Sequence, residues 1–209
     1  MASIQRSVVA SPRIGRLRDL VVAFGNLVES ASGEPGILRE GSRLLKELVG
    51  VDDWLPDRYA QPSVTGYQQY LLHADSRERF SVVSFVWGPG QKSPIHDHTV
   101  WGIVGVLRGA EIEQSFSRTS DGRFVERGAP VRLEKGEVTA VSPDIGDFHR
   151  VSNALAGRPS ISVHVYGANI GAVRRSMYEP DGTSKPFISG YSNTELPNFW
   201  DRSKDEPQV

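Results

Sequence analysis

Between residues 67 and 166 the chain is cut into short β-rich pieces by turns rich in Gly, Pro and Asp, and this limits its folds more than any other feature. The pieces span residues 67–72, 80–87, 99–107, 110–116, 131–133, 138–141, 148–151 and 160–166, and the turns between them include "GPG", "SDGR", "RGAP", "EKGE" and "SPDIGD". Many short strands at close spacing pack as a sandwich or barrel, so the centre of the chain is expected to be all-β.

The flanks differ. Leu17, Leu20, Val21, Phe24, Leu27 and Val28 recur at three- and four-residue steps, and Leu38, Leu44, Leu45, Leu48 and Val49 repeat the pattern, with Gly50 placed for a C-cap. Two amphipathic helices are expected in about residues 11–50, a barrel in about 66–167, and irregular wrapping structure followed by a disordered polar tail, "DRSKDEPQV", in about 168–209. A length of 209 residues suits one such domain.

Charge narrows the partners. With 24 Lys+Arg against 25 Asp+Glu, nothing draws the chain towards nucleic acid or an anionic membrane. No apolar run is long enough for a membrane span, and "MASIQRSVVASPRIGRLRDL" shows no signal-peptide core. The absence of cysteine excludes disulfides, thiolate-bound zinc and a cysteine nucleophile, and agrees with a cytoplasmic protein. The expected partner is a small molecule, with a homo-oligomer as a further possibility.

Two stretches carry chemistry. In "GPGQKSPIHDHTVWGIVGVLRG", residues 88–109, a strand would aim His96 and His98 at one point and Asp97 away, making half a metal site. In "PSISVHVYG", residues 159–167, Ser160, Ser162, His164 and Tyr166 share one parity and Ile161, Val163 and Val165 the other. If the polar face lines a cavity, its Ser, His and Tyr can form a hydrogen-bonded relay; the competing reading is a solvated outer face. His73 is expected at the surface, and Trp87 and Trp101 in the core or a pocket wall.

The first stretch resembles the first motif of the cupin family through Gly90, His96, His98 and Gly109. Gly136, Pro143, Gly146, His149 and Asn153 resemble the second motif, with one extra residue on each side of Pro143. The resemblance implies a double-stranded β-helix barrel of the jelly-roll type and makes His149 a third metal ligand. Gly102 stands where the family usually places a glutamate ligand, so the implied site is three neutral imidazoles.

With Ser162, His164 and Tyr166 on a later strand, the chain is similar to the thiol dioxygenases, which include cysteine dioxygenase and 3-mercaptopropionate dioxygenase. That family holds non-haem Fe(II) and uses O2 to convert a thiol to a sulfinic acid. The resemblance makes His96, His98 and His149 the iron ligands and Ser162, His164 and Tyr166 the catalytic outer triad. Animal cysteine dioxygenases crosslink a cysteine to the tyrosine, which a chain without cysteine cannot do.

Their carboxylate-binding arginine is replaced here by Gln69 in "YQQY", and the cation is sought in "NIGAVRRSM", with Arg175 favoured over Arg174. Gln69 and Arg175 together favour 3-mercaptopropionate over cysteine, with other thiol carboxylates such as mercaptosuccinate still open. Imidazole suits Fe, Zn, Cu and Ni alike, so a three-histidine zinc hydrolase or isomerase remains an alternative, as does a non-catalytic ligand-binding cupin.

Overall fold

The structure, a computed structural model, describes residues 13–193. Two helices, α1 (Gly15–Ser30) and α2 (Glu34–Val49), precede twelve strands. These are β1 (Gln68–Ala74), β2 (Ser81–Trp87), β3 (Ile95–His96), β4 (Gly102–Arg108), β5 (Ala110–Arg118) and β6 (Phe124–Glu126). There follow β7 (Val131–Glu134), β8 (Val138–Val141), β9 (His149–Asn153), β10 (Ser160–Tyr166), β11 (Arg175–Tyr178) and β12 (Ser184–Phe187).

All pairings are antiparallel. One sheet has the order β1-β2-β10-β4-β8; the other runs β12-β11-β3-β9-β5-β6, with β7 also paired to β5. Two curled sheets behind two N-terminal helices form the mainly β, cupin-type barrel that the family resemblance implies.

Period-two alternation sorts the first sheet. Val82 and Val86 of β2, Ile103 and Leu107 of β4, and Ile161, Val163 and Val165 of β10 pack outward in one cluster with Leu17, Leu20, Phe24, Leu45, Leu48 and Val49 of the helices. Val83, Phe85, Trp87 and Tyr166 face the other way, into an interior cluster with Leu71 and Val151. The apolar face of β10 is therefore roofed by helices and its polar face looks into the barrel. The solvated outer face that competed with this reading does not exist, since every residue of β10 is buried.

Glycine lets the roof settle closely. A Cβ at Gly41 of α2 would lie 2.6 Å from Ile103 Cδ1 and 3.0 Å from the Phe24 ring, so a side chain there would have to displace these core side chains. Gly50 does sit at the C-cap of α2, but with φ −63° it does not use the left-handed conformation that usually favours glycine there.

The segment after residue 167 differs from expectation. Instead of irregular wrapping it supplies β11 and β12, which extend the second sheet beyond β3. Their four residues each carry no clear apolar alternation; backbone pairing to an existing sheet edge, rather than a hydrophobic pattern, makes them strands. The polar tail lies outside the described residues. Among the described residues no helix is long and apolar enough to cross a membrane.

Leu45 is fully buried where α2 meets the sheet. Leu45→Ala should lower unfolding free energy by about 2–5 kcal/mol through lost transfer energy and a residual cavity. Urea unfolding measures this, and a change within error would show that the helices do not seal the outer face of the sheet.

Candidate metal centre and its cavity

Two neighbouring strands and a turn bring the three histidines together. His96 on β3 is the direct cross-strand partner of His149 on β9. His98 is not on the strand: β3 ends at His96, which corrects the expectation of two ligands on one strand. The chain instead turns sharply at Thr99, a β-branched residue held at φ 60°. Asp147 stabilises this turn, its Oδ2 accepting the backbone N–H groups of both His98 and Thr99 at 2.9 Å. The outcome is a cluster of His96, His98 and His149 whose ligand atoms lie within 4.8 Å of one another.

Their other nitrogens are occupied. His98 Nδ1 bonds Asp147 Oδ1 at 2.8 Å, His149 Nδ1 bonds Glu113 Oε1 at 2.8 Å, and His96 Nδ1 reaches the Pro94 carbonyl at 3.2 Å. With Nδ1 donating in each ring, Nε2 carries the free lone pair turned to the shared centre, the arrangement by which outer partners orient metal-binding imidazoles. Burial holds His96 and His98 well below the ordinary histidine range, which keeps them in the neutral, ligating form. The donor set therefore fits a divalent transition metal.

Asp147 and Glu113 were not anticipated. Asp147 lies two residues before His149, and Glu113 stands at an inward position of a β-rich stretch. An acid on an otherwise buried face is the signal that could have marked each.

The relay residues lie beside the cluster. Ser162 Oγ and His164 Nε2 are hydrogen-bonded at 2.8 Å, as are His164 Nδ1 and the Tyr166 hydroxyl. The Phe85 ring stacks on the His164 imidazole at 4.2 Å, and the Tyr166 ring stacks on His98 at 5.3 Å. Burial raises the Tyr166 phenol well above its usual range, so it is a neutral hydroxyl at physiological pH.

Gly102 is the cross-strand partner of Tyr166, and a Cβ there would lie 2.9 Å from the Tyr166 ring. The place left by the missing carboxylate is thus filled by the tyrosine ring. Gly102 makes room for Tyr166.

His96, His149, His164 and Tyr166 face a cavity of about 330 Å³, whose lining also includes Trp87, Gln69 and Arg175. Arg175 is buried on β11, and among the described lining residues it is the only one with a formal charge. Its guanidinium donates to Ser189 Oγ at 2.6 Å and stacks over Phe187, while Nε has no hydrogen-bond partner. Arg174 is exposed and does not line the cavity. Gln69 also lines it, with its amide nitrogen donating to Ser189 Oγ and the Gly190 carbonyl. His73 is half-buried within β1 beside Phe80, Trp101 is half-buried against the helix-side core, and Trp87 is cavity wall.

Comparison with known proteins gives a consistent set of likenesses. The cysteine dioxygenase type I family matches residues 50–177, which contain all three histidines, the relay and Arg175. Cysteine dioxygenase type 1 of Danio rerio is 25% identical over 154 residues, covering 72% of this chain and 70% of that protein. Among solved structures, a protein with a double-stranded β-helix domain from Klebsiella pneumoniae is 21% identical, with a TM-score of 0.43, covering 54% of this chain and 80% of its own. A cupin-like protein from Thermotoga maritima is 21% identical, with a TM-score of 0.38 and coverages of 50% and 73%.

The Asp147 carboxylate accepts three N–H groups, whereas an amide offers one acceptor oxygen and turns its own donors towards the rest. Asp147→Asn should therefore weaken metal binding by about 10–100-fold, measured by competition with a chelator. Unchanged affinity would mean that the Thr99 turn holds His98 without help.

Proposed function

The chain belongs to the cysteine dioxygenase type I family, and from that membership we propose that it is an Fe(II)-dependent thiol dioxygenase acting on a small thiol carboxylate, 3-mercaptopropionate in preference to cysteine. One observation carries the reading. A neutral tyrosine hydroxyl, fixed by His164, stands in the same cavity as one buried arginine and two imidazoles, His96 and His149, of the three-histidine cluster.

Iron(II) held by His96, His98 and His149 would supply the one-electron chemistry that lets ground-state dioxygen react with a thiol. The net change, R–SH + O2 to R–SO2H, takes four electrons from sulfur and places both oxygen atoms on it, so no external reductant is required.

The remaining roles belong to the chain. Arg175 binds the substrate carboxylate through charge-assisted hydrogen bonds, made stronger by its dry setting, with its unpartnered Nε among the donors. Phe85, Trp87, Val151 and Phe187 form apolar wall that excludes water. His164 orients the Tyr166 hydroxyl, which holds its proton towards the thiol and dioxygen gathered in the cavity.

The substrate preference follows from what faces the ligand. Cysteine brings an ammonium as well as a carboxylate, and no aspartate or glutamate is among the described cavity-lining residues. An unpaired buried ammonium is costly, while the uncharged carbon chain of 3-mercaptopropionate needs no such partner. A second carboxylate, as in mercaptosuccinate, would likewise lack a second lining cation.

Oxygen uptake by the iron-loaded protein against a panel of thiols tests the reading. His149→Ala should lose both stoichiometric iron and thiol-dependent uptake. Arg175→Gln should raise KM for 3-mercaptopropionate on the order of 100-fold while leaving iron content intact. Equal kcat/KM for cysteine and 3-mercaptopropionate would defeat the preference. Tightly held zinc with no thiol-dependent uptake would replace the oxygenase with the zinc hydrolase reading.

A further inference from the structure

Behind the relay lies a further buried acid that none of the roles above uses. Glu111 is on β5, two residues before Glu113, so the two side chains share the strand face that reaches His149. It is 1% exposed, and as the side chains stand neither carboxyl oxygen meets a donor in good hydrogen-bond geometry, although two hydroxyls lie close enough to act on it as hydrogen-bonding groups. Its polar neighbours are the hydroxyls of Ser162 and Ser160 on the opposite sheet. Ser160 Oγ is itself buried and without a partner. No cation is among the influences on Glu111, and burial pushes its carboxyl up to about 8.

A lone carboxylate in a dry interior is prohibitively costly, so the group is the neutral acid. Such an acid has an ability that no apolar residue shares: it can either donate a hydrogen bond to a hydroxyl or accept one from it.

That ability matters to Ser162. Its hydroxyl has one proton and already meets His164 Nε2 at 2.8 Å and the Trp87 indole N–H at 3.4 Å. If His164 carries its proton on Nε2, Ser162 accepts from it and must place its own proton elsewhere; His164 Nδ1 then accepts from Tyr166, turning the phenol proton away from the cavity. If Ser162 donates to Nε2, His164 donates from Nδ1 to the Tyr166 oxygen, and the phenol proton is free to face the cavity. The second polarity leaves lone-pair capacity on Ser162 Oγ that a carboxylic acid O–H fills.

We propose that Glu111 is the fourth member of the Ser162–His164–Tyr166 relay, a positioning residue whose neutral carboxyl donates to Ser162 and so fixes the polarity that presents the Tyr166 proton to the cavity. The consequence for turnover rests on the oxygenase reading; the hydrogen bond itself does not.

Infrared difference spectra of the iron-loaded protein at neutral pH, wild type against Glu111→Gln, should show loss of a protonated-carboxyl C=O stretch, and Ser162→Ala should shift that band. Loss of carboxylate stretches instead, or an unmoved band in Ser162→Ala, overturns the proposal. Glu111→Leu replaces a buried polar group by an apolar one of similar size and should leave the urea midpoint unchanged or higher, with iron content intact. Its kcat should nevertheless fall at least about tenfold with KM for the thiol little changed, and Glu111→Gln, which can still donate, should restore most of it. Full kcat in Glu111→Leu would also overturn the role. If no thiol supports oxygen uptake in any variant, the oxygenase reading fails while the infrared pair still decides whether Glu111 bonds Ser162.

Discussion

Strand β10 is hydrogen-bonded along both edges, to β2 and to β4, and covered on both faces, and this double confinement fixes where its side chains act. Its odd-numbered residues cannot leave the helix-side core without exposing Ile161, Val163 and Val165. Its even-numbered residues must then point into the barrel, where Ser162, His164 and Tyr166 satisfy one another. A slip of one residue would invert both faces at once, so hydrophobic burial under α1 and α2 sets the register of the relay. The same register pairs Tyr166 with Gly102 and determines that a side chain there would strike the ring.

How much of this can be read from the chain depends on whether the signal is local. The alternation in "PSISVHVYG" is local, and β10 follows it; the helix periods of α1 and α2 are equally plain, and both helices form. The spacing of His96, His98 and His149 places them near one another only by way of the motif resemblance. Spacing does not reveal how His98 arrives there, because that depends on Asp147, 49 residues away, accepting the backbone of the Thr99 turn. Strand alternation suggested the right neighbours by the wrong route. Strands β11 and β12 are illegible for a related reason: their pattern is weak, and pairing with a sheet built from distant segments makes them strands.

The acids of the interior divide by what they touch. Asp147 and Glu113 each face a histidine Nδ1, and Asp147 also receives two backbone N–H groups, so both have donors at hand. Glu111, on the same strand face as Glu113, has the Ser162 and Ser160 hydroxyls as its hydrogen-bonding neighbours. The same residue type thus serves as an anchor for ligand geometry in one place and as an uncharged hydrogen-bonding group in another, and the nearest donors decide which.

Asp97 links the metal centre to the cavity's cation. Lying between His96 and His98 but facing away from them, it accepts the Ser176 backbone N–H at 2.8 Å and the Tyr178 hydroxyl at 2.6 Å, while its own N–H donates to the Ser176 carbonyl. Both contacts lie on β11, the strand that begins with Arg175, and β11 pairs directly with β3 through Met177 and His96. A rigid two-strand unit therefore carries one imidazole ligand and the guanidinium together. On the proposed reading, a substrate bridges the two with sulfur at one end and carboxylate at the other. The β3–β11 register, held by Asp97, then contributes to the length of carbon chain that fits. Ser189, which accepts from the guanidinium and from the Gln69 amide, sets where the cationic end of that span lies.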